Sequence, residues 1–359
     1  MTGHLSDDPG IRTAHHPAVP LGGSSGVLDC EAREAEEDRL LAPGATRSIG
    51  AGRRAIEEPT DPWRTCFERD RDRILHSAAF RRLAGKTQVF IFPADHQRTR
   101  LTHALEVVQV ANAISRACRL NVALTEAIAL GHDCGHGPGG HASEEALSPF
   151  LPEGFDHAVW GADVTVASLN LCAETLDGIR NHSWSRPSPA TPEGEVVALA
   201  DRIAYCAHDL EDAVHAQIVS SDELPPLVAE HCGTSRGRQL NSFVTDAVQT
   251  TLASGTVAIS ETMGEALEAL RRFNYERIYL RQASVEESST VIGLLRALVD
   301  HYVSHPAVLR AGGELVPEDP DTVRAAVGYV SGMTDRFACT KAEELLGWSL
   351  PPWWVPRIP

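Results

Sequence analysis

The chain has 359 residues and 43% hydrophobic content, enough for one large domain or two smaller ones around a substantial core. A formal net charge of -17 argues against duplex nucleic acid as the main ligand, because phosphate backbones need local positive charge. Aromatic content of only 6%, with alanine and leucine recurring, favours helices over a sandwich.

Lys86 and Lys341 are the only lysines, so arginine supplies the cationic chemistry, and its planar fork suits phosphate. Eight cysteines without a C-x-x-C pair argue against a zinc ribbon and a disulfide scaffold. Cys118, Cys172 and Cys206 fall inside apolar helical patterns and read as core. The start, Met1 to Asp8, has no basic or apolar stretch, and no apolar run reaches eighteen residues. A soluble, cytoplasmic protein with no membrane partner is expected.

Residues 1–57 are rich in Gly, Pro, Ala and charge, with little periodicity, and are expected to be largely disordered. His15-His16 reads as a tail feature. Phe67, Ile74, Phe80 and Leu83 give helical spacing, with acids and arginines alternating on the other face. Gly85 to Pro93 is the best short-strand candidate. A long helix then opens at Arg98-Thr99-Arg100-Leu101-Thr102-His103, with a broad apolar face that implies burial. His103 sits beside that face, as a bonded core residue or as a ligand.

A second helix runs from Leu124 to Gly131 and delivers His132 from its inward face. The stretch from His132-Asp133 through Gly135-His136 to Gly140-His141 and Glu144 interleaves imidazoles and carboxylates with glycines that end the helix. Imidazole nitrogen with carboxylate oxygen is a ligand set for a divalent ion, so this cluster reads as a metal or catalytic centre. His157 follows, then an apolar segment from Val164 to Leu171 with helical character. Arg180 to Pro189 is a loop by composition. Along Glu195 to Asp212, the apolar stripe Leu199, Ile203, Cys206, Leu210 runs beside a polar one, Asp201, Tyr205, His208, Asp212. The polar stripe is a solvent face or a cleft wall. Beyond residue 224 the helical patterns carry no chemistry, and Pro351 to Trp354 is an apolar tail expected to dock on the body or on a neighbouring subunit.

His103, His132, Asp133 and Asp201 form a two-His, two-Asp set on three buried segments. Together with Phe80-Arg81-Arg82-Leu83, Lys86-Thr87-Gln88-Val89, Ala200-Asp201-Arg202-Ile203-Ala204-Tyr205 and His208-Asp209, the set resembles the HD-domain phosphohydrolases. More closely, it resembles their deoxynucleoside triphosphate triphosphohydrolase branch. The resemblance implies an all-α HD-domain fold with additional C-terminal helices. It implies an organisation into 1–57, a catalytic core over 58–222, and a helical region over 223–359 packed on that core. It further implies one divalent metal (Mn, Mg, Fe, Co, Ni or Zn) on His103, His132, Asp133 and Asp201.

By the same resemblance, His141, oriented by Glu144 and helped by His136, handles protons around the attacking water. His157 lies on the phosphate side near the leaving oxygen, Arg100 and Arg202 clamp the triphosphate, Gln88 and Asp209 bond the sugar 3'-hydroxyl, and Tyr205 presses near C2'. The implied reaction cuts a purine deoxynucleoside triphosphate into nucleoside and intact triphosphate, in a homo-oligomer. The alternative is hydrolysis of a nucleoside monophosphate or a cyclic or signalling nucleotide. One departure from the family is Ala158-Val159-Trp160-Gly161 after His157, where small polar residues are usual. A bulky Trp160 on the phosphate wall would favour a substrate other than dGTP, or a sugar-modified one.

Overall fold

A computed structural model of the chain describes residues 4–5, 10–15, 18–19, 26–91, 97–309, 316–317 and 319–349. His16, Phe92-Pro93 and the Pro351–Trp354 tail lie outside them. Among the described residues are fifteen α-helices and a single two-residue antiparallel pair, β1 (His4–Leu5) with β2 (Arg12–Thr13), so the chain is all-α as expected. No helix among them is long and apolar enough to cross a membrane.

The region before residue 57 contains α1 (Cys30–Leu40), capped by Asp29 through the Ala32 amide. Polar links, not an apolar stripe, hold this region. Glu37 accepts from the Ser48 amide and hydroxyl at 2.6 and 2.9 Å. The fully buried Glu193 accepts from the Thr46 amide and hydroxyl and from the Asn121 amide, at 2.7–3.0 Å. The Phe67-to-Leu83 run splits at Ser77 into α2 (Cys66–His76) and α3 (Ala78–Arg82), because the Ser77 hydroxyl caps α3 through the Phe80 amide. The expected strand at Gly85 to Pro93 is not formed in its described part. One antiparallel bridge, Thr87 to Thr99, is all that pairs. The Thr87 amide instead donates to the Asp335 carboxylate at 2.8 Å, and an all-helical body offers the segment no partner strand.

Then follow α4 (Arg100–Ala117), α5 (Val122–Gly131), α6 (Ala142–Leu147), α7 (His157–Trp160), α8 (Ala173–Asn181) and α9 (Pro192–His215). The apolar Val164-to-Leu171 segment is not an α-helix. It is a π-turn (Gly161–Thr165) and a 3-10 turn (Ala167–Leu169) that stops at Asn170, whose φ is +51°. Asn170 is held there because its side chain bonds both the amide and the carbonyl of Ile56. The remaining helices are α10 (Pro226–His231), α11 (Arg236–Ser254), α12 (Glu261–Asn274), α13 (Gln282–Ser304), α14 (Pro320–Ser331) and α15 (Asp335–Leu346).

Three apolar clusters organise these helices. Val107, Ile114, Leu124, Ile128, Ile203, Phe243 and Leu270 join α4, α5, α9, α11 and α12. Leu147, Leu295, Leu298, Val327 and Val330 join α6, α13 and α14, and Ala338 and Ala342 add α15. Ile74, Phe80, Leu83 and Ile179 join the α2–α3 region to α8. The segment from Ala129 to Ala142 threads all three, with Ala129 in the first, Cys134 in the third and Ala142 in the second. The glycine-rich loop is therefore anchored at both ends and at Cys134. All eight cysteines are free and buried.

Candidate metal centre and catalytic site

α5 is apolar almost all round and buried, and it ends where His132 takes over as its C-terminal cap. His132 Nδ1–H donates to the Ala129 carbonyl at 2.7 Å, which leaves Nε2 as the ring nitrogen turned toward the cluster. That nitrogen is buried and has no partner. It faces Asp133 Oδ2 at 3.5 Å and Asp201 Oδ1, supplied by α9, at 3.8 Å. His103, from the first turns of α4, places Nε2 3.0 Å from Asp201 Oδ1 and 3.9 Å from Asp133 Oδ2. Donors sharing one ion at about 2.0–2.2 Å stand roughly 3–4 Å from each other, so these residues fit a single divalent cation. The mixed nitrogen and oxygen set suits several such metals equally.

The carboxylates are held ionised. Burial works against the charged form of Asp201, but the bond to His103 and the charge of His132 win and bring its carboxyl down to about 2. Burial likewise opposes Asp133, and the Arg100 guanidinium with His132 and His136 holds it well below the ordinary range. Arg100 is itself buried. It gives one nitrogen to Asp133 Oδ2 at 2.7 Å, while its Nε and Nη2 have no partner. Gly140, at φ +63°, lies against that guanidinium, where a side chain would collide with it.

Beside the metal set lies a histidine cluster built around Glu144, in the first turn of α6. One of its oxygens pairs with His141 Nδ1 at 3.2 Å and the other with His157 Nδ1 at 2.6 Å. Burial opposes the Glu144 charge, and the two histidine bonds overcome it and drive the carboxyl far down. His136 stacks on His157 at 3.7 Å between centroids and reaches Asp133 Oδ1 at 3.2 Å. Gly135 makes this approach possible, because a methyl group there would overlap the His157 carbonyl and the Gly161 backbone. His141 is the exposed member of the cluster and lines the cavity.

The sequence did not single out His182, at the end of α8, yet it completes the cluster. Its Nδ1–H donates to the Ile179 carbonyl at 2.8 Å, and burial together with the His132 and His157 charges pushes it down to about 3. His182 Nε2 is therefore an acceptor, and His157 Nε2–H donates to it at 3.2 Å. Both nitrogens of His157 are thus committed, one to Glu144 and one to His182. Burial lowers His157 and the Glu144 bond more than reverses that, so its ring is held above the ordinary imidazole range, with both nitrogens engaged. His182 stands in Asn181-His182-Ser183, where loop composition masked it.

These groups open onto a cavity of about 470 Å³. Gln88, Arg100, Arg202, Tyr205 and Asp209 all line it, so the structure brings the expected phosphate and sugar residues to one wall system. Gln88 Oε1 is buried without a partner. Asp209 is already engaged, by Arg98 and by the Tyr279 hydroxyl. Arg98 also holds Asp212 at 2.9 Å and Glu106 at 3.1 Å, a network the spacing did not announce. Of the polar stripe of α9, Asp201 and Tyr205 are a cleft wall, whereas His208 bonds the Ala204 carbonyl of its own helix and Asp212 is held by Arg98 away from the cavity lining. Trp160 does not line this cavity. It is buried against Phe155 and beneath Arg324, so the case it made for an unusual substrate falls away.

Residues 100–206 match the HD domain family model and residues 257–344 match the Phosphohydrolase-associated domain. The chain is 40% identical over 336 residues to a deoxyguanosinetriphosphate triphosphohydrolase-like protein of Caldanaerobacter subterraneus subsp. tengcongensis, covering 91% of this chain and 98% of that one. It is 41% identical over 304 residues to a protein of the same description from Clostridium perfringens (strain SM101 / Type A), covering 80% and 88%. A solved structure of a hypothetical protein from Aquifex aeolicus aligns at a TM-score of 0.44 and 17% identity, over 80% of this chain and 69% of its own.

Proposed function

We propose, from the premise that this chain belongs to the deoxyguanosinetriphosphate triphosphohydrolase-like family of HD-domain proteins, that it hydrolyses a purine deoxynucleoside triphosphate to the deoxynucleoside and inorganic triphosphate. The observation that carries the reading is the unpartnered, buried His132 Nε2 facing Asp133 and Asp201, one shell away from the Glu144–His141 pair. His103, His132, Asp133 and Asp201 would hold the metal, which would lower the pKa of a water and polarise phosphorus.

The rest of the chemistry belongs to side chains. Water attacks the α-phosphorus, the bond to the sugar 5'-oxygen breaks, and that oxygen takes a proton. His141 has Nδ1 tied to Glu144, keeps Nε2 for the cavity, and is the group that moves protons there. His157, locked between Glu144 and His182, has neither nitrogen free to pass a proton and fixes the wall on the phosphate side. Arg100 Nη2 and Arg202 neutralise the phosphate chain. Gln88 and Asp209 bond the 3'-hydroxyl, and Tyr205, against Arg271, presents the wall that crowds a 2'-hydroxyl.

The test is incubation of the full chain with a panel of deoxy- and ribonucleoside triphosphates plus Mn, followed by chromatography of the products. Deoxynucleoside with intact triphosphate is expected. Orthophosphate or pyrophosphate would replace this reading with the alternative, hydrolysis of another phosphate ester.

A further inference from the structure

The cations around the cavity are not equally available. Arg98 is saturated by Asp209, Asp212 and Glu106, and Arg100 is partly spent on Asp133. Arg202 makes no ion pair among the described residues. Its guanidinium instead lies over the Trp184 ring, 3.5 Å from the centroid. Trp184 is fixed in turn, because its indole N–H donates to the Ala198 carbonyl, one turn before Arg202 on α9, at 3.1 Å. Both side chains line the cavity. A carboxylate would orient an arginine equally well, but it would also compete with any incoming anion. An aromatic face restrains the plane of the guanidinium and leaves its N–H edges unspent.

We propose that Trp184 is a positioning residue that holds the Arg202 fork ready for the phosphate chain, so that affinity for the polyphosphate end of the ligand depends on it. The proposal rests on the triphosphohydrolase reading and deepens it.

The test uses the full chain with its metal and two competitive inhibitors of the reaction, inorganic triphosphate and the deoxynucleoside product. Trp184→Ala is expected to weaken triphosphate inhibition roughly three- to tenfold while moving nucleoside inhibition much less. Trp184→Phe keeps an aromatic face and should restore most of the difference. Equal losses for both inhibitors in Trp184→Ala would mean a structural role only and would overturn the proposal, as would unchanged triphosphate inhibition. If the wild-type chain releases no triphosphate from any substrate, the parent reading fails instead, and product chromatography on the same samples tells the two failures apart.

Discussion

At the scale of single residues, the site separates groups that hold from groups that react. Asp133 touches Arg100 and His136 and faces His132, so it carries structure as well as the ligand role proposed for it. Asp133→Asn is expected to abolish metal content by elemental analysis and to lower the unfolding free energy by about 3 kcal/mol, because Arg100 is left buried without a counter-charge. His141 differs, being exposed and bonded only to Glu144. His141→Ala should keep its metal and its melting temperature while kcat falls about 10²- to 10⁴-fold, and metal loss in that variant would reassign the residue to the ligand shell. Sequence pattern foretold which ionisable residues would meet, because His-Asp at a glycine-terminated helix end has few bland explanations. It missed His182, since a single histidine after a helix carries no spacing signal. It misread the surroundings of Trp160, because nothing in a linear string says which side of a one-turn helix faces the cavity.

At the scale of elements, the loop that carries His136 and Gly139 is pinned by residues distant in sequence. Lys86 is buried and donates to the His136 and Ser331 carbonyls, which links the loop to the end of α14. Burial and the Arg82 charge push its ammonium down to about 8, against 10.5 for an ordinary lysine. Between those two pH values the unfolded chain binds a proton that the folded chain has already released, so this group makes stability rise with pH across that window. The stability of the wild type relative to Lys86→Met, from denaturant titrations, should therefore climb from about pH 8 to about pH 10.5. A flat difference would show that Lys86 keeps its proton. Helices α4, α5 and α9 were legible because their apolar periodicity is strong. The strand expected at Gly85 was not realised, since β-prone residues between Gly and Pro look alike whether they pair with a strand or with Asp335. α1 was invisible for the opposite reason, as carboxylates and amides hold its region and leave no hydrophobic rhythm to detect.

At the scale of the molecule, three apolar clusters include none of the proposed ligands, so a bound metal is expected to complete the site and not to build the fold. Chelation should abolish activity and leave the far-ultraviolet helix signal intact. Adding Mn back should raise the melting temperature in proportion to the logarithm of its concentration once the site saturates. Collapse of the helix signal on chelation would mean that the ion is structural. Asp335 takes the Thr87 amide and hydroxyl on one oxygen and the Gly139 amide on the other. It stands late in the chain, at the start of α15. During synthesis, the loop beside the histidine cluster therefore waits on a residue that leaves the ribosome 196 positions after Gly139.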